Sequence, residues 1–205
     1  MAEAKDARLV LASGSRSRRQ MLDAAGLTFD VAPADVDERA IRETLQADDS
    51  GIEPADVAEV LARAKAEAIS RQLPEALIIG ADQILALDDE IFEKPADLAG
   101  ARRHLQKLRG RTHQLHSAVV LAQGGEVVWA QVDTASLTMH AFSPDFLENY
   151  LTLAGTVVCD SVGAYQLEGL GVQLFERIEG DYFTILGLPL LPLLAELRTR
   201  KIIAS

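Results

Sequence analysis

Residues 8–19 have the sequence RLVLASGSRSRR, in which a short apolar run passes directly into the start of a helix. Residues 8–13 fit a buried strand and Gly14-Ser15 fit a turn. A helix is predicted over about residues 16–25, with Gly26 following its last turn. A strand that leads straight into a helix is a building unit of α/β folds, so this segment predicts that fold class.

The rest of the chain interleaves helices with hairpins. Residues 76–80 form a short apolar run that predicts a central strand. Residues 84–92 and 112–140 predict two hairpins, the second turning at Gly124-Gly125. Further elements are predicted as strands at 28–32 and 172–178, helices starting near Pro54, Asp97 and Ser143-Pro144, a last helix at 190–200, and an acidic loop with a short helix at 33–51. We therefore predict a mixed sheet within one domain over residues 1–205, since no linker or repeat divides the chain.

Composition excludes several classes of protein. The chain has 205 residues, 48% hydrophobic and 25% charged, which is the balance of a globular protein. Its apolar runs are too short to cross a bilayer, and residues 1–6 lack the basic-then-apolar order of a signal peptide. The single cysteine, Cys159, cannot form an internal disulfide. We expect a cytoplasmic protein without membrane contact.

The charge distribution points to a small anionic ligand. A net charge of −11 argues against a broad surface for nucleic acid. A phosphate site would therefore need a local cationic pocket, and the densest cationic cluster is Arg16, Arg18 and Arg19 at the predicted strand-to-helix turn. Helix N-termini attract anions, and helical side chains lean back toward them. We predict a phosphate site over Ser13–Arg19; the alternative is a capped surface helix with solvated arginines.

Asp82 is the main candidate for catalysis. It lies in Gly80-Ala81-Asp82-Gln83, after the apolar run, and is predicted to stand at the carboxyl end of a strand, where ligand crevices of α/β sheets form. A carboxylate there can hold Mg²⁺ or accept a proton from water. The alternative, an aspartate in a hairpin turn, stays open.

Two lysines are weaker candidates. Pro95 forces Lys94 into an extended conformation, which projects its ammonium from a loop toward a possible phosphate. Lys65 lies among alanines in a predicted helix. For both lysines the alternative is simple solvation. A glycine-rich stretch, residues 163–171, matches neither a dinucleotide fingerprint nor a Walker A motif.

Taken in order, these segments resemble the Maf family of nucleotide pyrophosphatases over nearly the whole chain. The matching motifs are residues 11–19, Val36-Asp37-Glu38, Lys65-Ala66, Gly80-Ala81-Asp82-Gln83, Glu93-Lys94-Pro95, Gly163-Ala164-Tyr165, Gly180-Asp181 and residues 187–190. The resemblance implies a Maf/Ham1-like (ITPase-like) α/β fold, with a mixed, bent sheet flanked by helices and a cleft between two lobes. It also implies a homodimer.

The resemblance also assigns roles to individual residues. Asp82 matches the catalytic carboxylate, and Glu38 matches an acidic residue near a divalent metal, Mg²⁺ or Mn²⁺, which Asp82 would share. The triphosphate-binding candidates are Ser13, Arg18, Lys65 and Lys94, to which the cationic cluster adds Arg19. The chain departs from the family pattern at Arg16 (usually proline), Ser161-Val162 (commonly Lys-Ala) and Thr184 (frequently Asn).

The implied reaction cuts a nucleoside triphosphate into a nucleoside monophosphate and pyrophosphate, which removes modified nucleotides. Ser17, Gln83 and Glu168 match the positions that separate the family's base preferences. Gln83 and Glu168 match the 7-methyl-GTP type, whereas Ser17 matches neither type. We expect a preference for 7-methyl-GTP or another modified guanine nucleotide. The alternatives are a dTTP/UTP-type pyrophosphatase, a nucleotide-binding regulator of cell division, or an acidic structural domain without a ligand.

Overall fold

The computed structural model describes residues 8–47, 51–88 and 90–204. Three sequence predictions fall partly or wholly on other residues: the absence of a signal peptide, the acidic segment 33–51, and the hairpin over residues 84–92, which includes residue 89. The strands are β1 Leu9–Leu11, β2 Asp30–Val31, β3 Leu77–Leu87, β4 Glu90–Phe92, β5 Thr112–Gln123, β6 Glu126–Met139 and β7 Phe175–Glu179. The helices are α1 Arg16–Ala24, α2 Glu38–Ala47, α3 Pro54–Gln72, α4 Leu98–Leu108, α5 Pro144–Ala154, α6 Tyr182–Ile185 and α7 Leu190–Thr199, with 3-10 helices at Gly155–Asp160 and Leu170–Leu174.

The strands form one mixed sheet, which confirms the predicted fold class. Their order is β2-β1-β3-β5-β6-β7, and β4 pairs with β3 outside this path. Strand β1 runs parallel to both β2 and β3, whereas β4 and β7 run antiparallel to their partners β3 and β6. Within the described ranges, no helix is both long and apolar enough to span a membrane.

The predicted helix and hairpin boundaries follow local chemistry. Ser15, Asp97 and Ser143 cap the N-termini of α1, α4 and α5 with their side-chain oxygens. Gly124 and Gly125 join β5 to β6 with φ values of 62° and 87°, a region that favours glycine over residues with a side chain.

Residue contacts divide the chain into two compact units. The first unit is Met1–Gln83, Ser117–Asp133 and Gly187–Ser205, and the second is Ile84–His116 and Thr134–Leu186. The backbone passes from one unit to the other within β3, β5 and β6.

In the first unit, Gly80 allows α3 to pack closely against β3. A Cβ at Gly80 would lie 2.3 Å from the carbonyl oxygen of Ala62 and 2.7 Å from Ala66 Cβ. Gly80 therefore serves close packing and not a turn, and β3 continues through it to Leu87. The prediction that Asp82 ends a strand is wrong, because Asp82 lies in the middle of β3.

In the second unit, the predicted strand over 172–178 begins later than expected. A 3-10 helix covers Leu170–Leu174, and the strand itself is Phe175–Glu179. A Cβ at Gly171 would lie 2.4 Å from the carbonyl oxygen of Gln166, so the chain packs against itself there. Extended pairing with β6 therefore starts only at Phe175.

Candidate active site

The predicted cationic cluster separates into one buried arginine and exposed ones. Ser15 Oγ accepts a hydrogen bond from the Arg18 backbone N–H at 3.4 Å, which fixes the start of α1. The Arg18 side chain is buried, whereas Arg16 and Arg19 are exposed. Arg19 Nε lies 3.6 Å from the Asp23 carboxylate, so its observed partner is a neighbour on α1. Arg18 is therefore the cation that α1 contributes to the interior of the first unit.

The guanidinium of Arg18 is held by three oxygens from separate parts of the first unit. Its Nε donates to the Gly187 carbonyl at 2.8 Å, and its Nη1 donates to Ser13 Oγ at 3.1 Å and to the Ala81 carbonyl at 2.9 Å. These bonds use three of the five guanidinium N–H groups, and the two on Nη2 have no hydrogen-bond partner among the described residues. Burial lowers the pKa of Arg18, while the charges of Asp82 and Glu38 act in the opposite direction. Arg18 is thus a fixed cation with donors left for an anion.

Lys65 joins two carboxylates in the first unit. It projects from α3, and its Nζ lies 2.5 Å from Asp82 Oδ1 on β3 and 2.7 Å from Glu38 Oε1 at the start of α2. Lys65 and Asp82 are both buried. The close packing of α3 at Gly80 brings Lys65 to Asp82, so Lys65 does not lie on an exposed helical face.

Glu38 is ionised at neutral pH. Burial would raise its pKa, but the hydrogen bond and charge of Lys65, together with Arg42, hold the pKa of Glu38 below its ordinary value. The Asp37 side chain accepts the Ala40 N–H at 2.9 Å and so caps α2, which fixes the position of Glu38. Two carboxylates from different elements therefore face one ammonium.

This donor set fits a divalent cation that is shared with phosphate. Within the described parts of the chain, no group of three or more His, Cys, Asp or Glu side chains could hold a metal ion, so protein carboxylates would supply only part of the ligands. Mg²⁺ is usually held by one or two carboxylates together with substrate phosphates and water, and Mn²⁺ prefers the same oxygen ligands. Glu38 and Asp82 would hold such an ion.

Gln83 follows Asp82 and is fixed by a residue that sequence motifs did not indicate. Its Nε2 donates to Ser117 Oγ at 3.0 Å, and Ser117 is fully buried on β5. A Cβ at Gly187 would lie 3.6 Å from both Gln83 Oε1 and Arg18 Nη2, so these two atoms lie beside the same glycine. Ser117 is a serine within an apolar strand, and only the tertiary structure reveals its partner.

The other predicted site residues lie as follows. Ser17 is half-buried on α1 in the first unit. Lys94 and Glu168 belong to the second unit, and both are exposed. Lys94 follows β4 and precedes the buried Pro95, on a loop as predicted. Glu168 lies in a turn closed by the Gly169 N–H and the Gln166 carbonyl at 3.2 Å.

Tyr165 anchors the glycine-rich stretch that carries Glu168. His113 Nε2 and Tyr165 Oη are hydrogen-bonded at 2.8 Å, and Ser161 Oγ donates to the Tyr165 carbonyl at 2.6 Å. Burial lowers the pKa of His113 to about 4 and raises that of Tyr165. A Cβ at Gly163 would lie 2.2 Å from Tyr165 Cε1, so this glycine serves internal packing. No motif pointed to His113, and Ser161 was noted only as a departure from the family pattern.

Comparison with known proteins identifies a family profile and several relatives. The sequence profile described as Maf-like protein matches residues 8–200. The chain is 59% identical over 192 residues to the 7-methyl-GTP pyrophosphatase of Mesorhizobium japonicum, covering 94% of this chain and 96% of that protein. It is 54% identical over 196 residues to the 7-methyl-GTP pyrophosphatase of Brucella abortus, covering 96% and 98%. It is 53% identical over 189 residues to the nucleoside triphosphate pyrophosphatase of Paramagnetospirillum magneticum, covering 92% and 96%.

Proposed function

The chain belongs to the Maf family, and on that premise we propose that it hydrolyses nucleoside triphosphates to a nucleoside monophosphate and pyrophosphate. The observation that carries the proposal is the ion-paired group of Asp82, Glu38 and Lys65, in which Asp82 and Lys65 are buried, with Arg18 fixed in the same unit. The relatives named above as pyrophosphatases support the same reaction.

The cations of the site would offset the charge repulsion that opposes this reaction. A triphosphate carries several negative charges that repel an incoming nucleophile, and this chain has a net charge of −11. Arg18 offers two fixed N–H donors, and Lys65 adds an ammonium that Asp82 and Glu38 hold in place. Ser13 Oγ accepts a hydrogen bond from Arg18 Nη1, so the serine hydroxyl lies beside the same guanidinium. Charges placed in advance where negative charge develops lower the barrier without reorganisation.

Asp82 is the proposed base. Its carboxylate is buried in the middle of β3 and bound by Lys65, so its position is set before substrate arrives. It orients the attacking water and accepts its proton as the bond to the α-phosphorus forms. A divalent cation held by Glu38 and Asp82 would neutralise phosphate charge and stabilise the leaving pyrophosphate.

Four further assignments enter the proposal from the sequence and the family resemblance. Lys94 would add a further cation for the phosphates. Arg19 would add another after leaving its partner Asp23. A cytoplasmic location and a homodimer are also proposed on this ground.

We propose 7-methyl-GTP, or another modified guanine nucleotide, as the preferred substrate. Glu168 carries the carboxylate that would accept hydrogen bonds from the N1–H and N2–H₂ edge of guanine, and its charge favours a cationic methylated base. Uracil and thymine lack that pair of adjacent donors. Gln83 is held by the hydrogen bond that its Nε2 donates to Ser117 Oγ. Ser17 offers no indole for stacking, so a dTTP/UTP preference is the second candidate.

A screen of standard and modified nucleoside triphosphates for pyrophosphate release tests the proposal. Repeated turnover of at least one nucleotide supports an enzyme. Binding of a nucleotide without release of pyrophosphate would instead support the alternative of a nucleotide-binding regulator of cell division.

A further inference from the structure

Lys65 Nζ occupies the point at which the two carboxylates of the site converge. Carboxylate oxygens from β3 and from α2 lie 2.5 Å and 2.7 Å from this one nitrogen. An ammonium and a divalent cation are both compact charges that seek carboxylate oxygen. A cation bound to the same two oxygens would stand next to Nζ, and the two positive charges would repel each other because Lys65 and Asp82 are buried.

Positive charge already exceeds negative charge around this point without a metal. Glu38 and Asp82 contribute two negative charges, whereas Lys65, Arg18 and Arg42 contribute three positive charges, and Arg42 Nη1 lies 3.4 Å from Glu38 Oε2. Such a group gives little net attraction for a further cation. The affinity of the two carboxylates for a metal therefore depends on whether Lys65 stays between them.

We propose that Lys65 competes with the divalent cation for Glu38 and Asp82, and that binding of the triphosphate shifts this competition in favour of the cation. A buried ammonium that loses both carboxylates needs a new anionic partner, and phosphate oxygens supply one. The metal and the nucleotide thus bind cooperatively, and Lys65 exchanges from carboxylate to phosphate as they bind. This inference rests on the proposed function only for the presence of a divalent cation and a triphosphate.

Mn²⁺ binding in the absence of nucleotide tests the competition without any measurement of turnover. The affinity is measured by electron paramagnetic resonance for wild type, Lys65→Met and Arg63→Met. Arg63 lies two residues away on α3 and pairs with Glu59 at 2.6 Å, so its replacement removes the same charge from the same helix but away from the two carboxylates. We expect Lys65→Met to bind Mn²⁺ about tenfold more tightly than wild type, and Arg63→Met to match wild type. Equal affinity of the two variants would overturn the proposal.

A second measurement uses the wild-type chain and does not depend on a variant that folds. The Lys65 ammonium should give a slowly exchanging ¹H–¹⁵N signal, because two carboxylates hold it in a buried position. Titration with Mg²⁺ alone should abolish that signal as the ion displaces the ammonium. Persistence of the signal when Mg²⁺ saturates the site would overturn the proposal. If the competition is observed but no nucleotide yields pyrophosphate, the proposed function fails independently.

Discussion

Lys65 Nζ lies 2.5 Å from Asp82 Oδ1, so the candidate base and its nearest cation are joined inside the first unit before any substrate binds. Both side chains are buried, and neither the helix nor the strand that carries them ends at this point. The position of Asp82 is therefore set by regular secondary structure on both sides. A site built in this way is preorganised for charge stabilisation.

Replacing Asp82 by asparagine should nearly abolish turnover and leave the fold intact. The amide keeps the size of the side chain but cannot accept the proton of the attacking water, and loss of a general base costs on the order of a hundredfold or more in rate. Pyrophosphate release and circular dichroism measure the two effects. Asp145→Asn, at an exposed position on α5, is the matched control and should retain wild-type turnover. Hydrolysis near the wild-type rate by folded Asp82→Asn would remove Asp82 from the mechanism.

Arg18→Ala should lower stability as well as activity. It removes three hydrogen bonds and leaves the carbonyls of Ala81 and Gly187 without this donor, which should cost roughly 3 kcal/mol or more of unfolding free energy. Arg19→Ala, one residue away and exposed, should change stability by less than about 0.5 kcal/mol. Urea unfolding measures both variants, and the KM for triphosphate should rise for Arg18→Ala. Equal stability of the two variants would show that the three bonds of Arg18 contribute little.

Some of this site follows from the sequence and some does not. The strand-to-helix segment predicted that Arg18 or Arg19 would lean back toward the start of the helix, and Arg18 does so, since its Nη1 donates to Ser13 Oγ. The prediction that Asp82 stands at the end of a strand was wrong, because β3 continues through Gly80 to Leu87 and Gly80 serves the close approach of α3. The partners of Gln83 and Tyr165 are Ser117 and His113, which are distant in sequence and belong to no motif. Contacts of that kind depend on packing between elements, which a local pattern does not encode.

The stability of the protein should depend on His113 in acid. Its folded-state pKa is about 4, below the ordinary value of 6.5, so the unfolded chain takes up the proton first as pH falls. The stabilising effect of the neutral ring is complete above pH 6.5 and is lost as pH falls toward 4, a change of about 3 kcal/mol by the linkage between pKa and free energy. Urea unfolding at pH 7 and pH 4.5 should show a smaller decrease for His113→Gln than for wild type. Equal decreases in the two proteins would contradict burial of a neutral His113.

Glu168→Gln should weaken the preference for 7-methyl-GTP over UTP and dTTP. The change replaces two acceptor oxygens by one and removes the negative charge that favours a cationic base. The ratio of kcat/KM values for the three nucleotides measures the preference. Glu176→Gln, also exposed in the second unit, is the matched control and should keep the wild-type ratio. Faster turnover of UTP and dTTP than of 7-methyl-GTP by the wild-type protein would refute this base assignment.

The central claim is that the chain cleaves a nucleoside triphosphate between its α- and β-phosphates. The most direct measurement separates the products of one turnover and of many turnovers by anion-exchange chromatography, with Mg²⁺ and a panel that includes 7-methyl-GTP. We predict equal amounts of nucleoside monophosphate and pyrophosphate from the first turnover onward, and no product when the divalent cation is removed with a chelator. A nucleoside diphosphate with orthophosphate as the first products would contradict the claim.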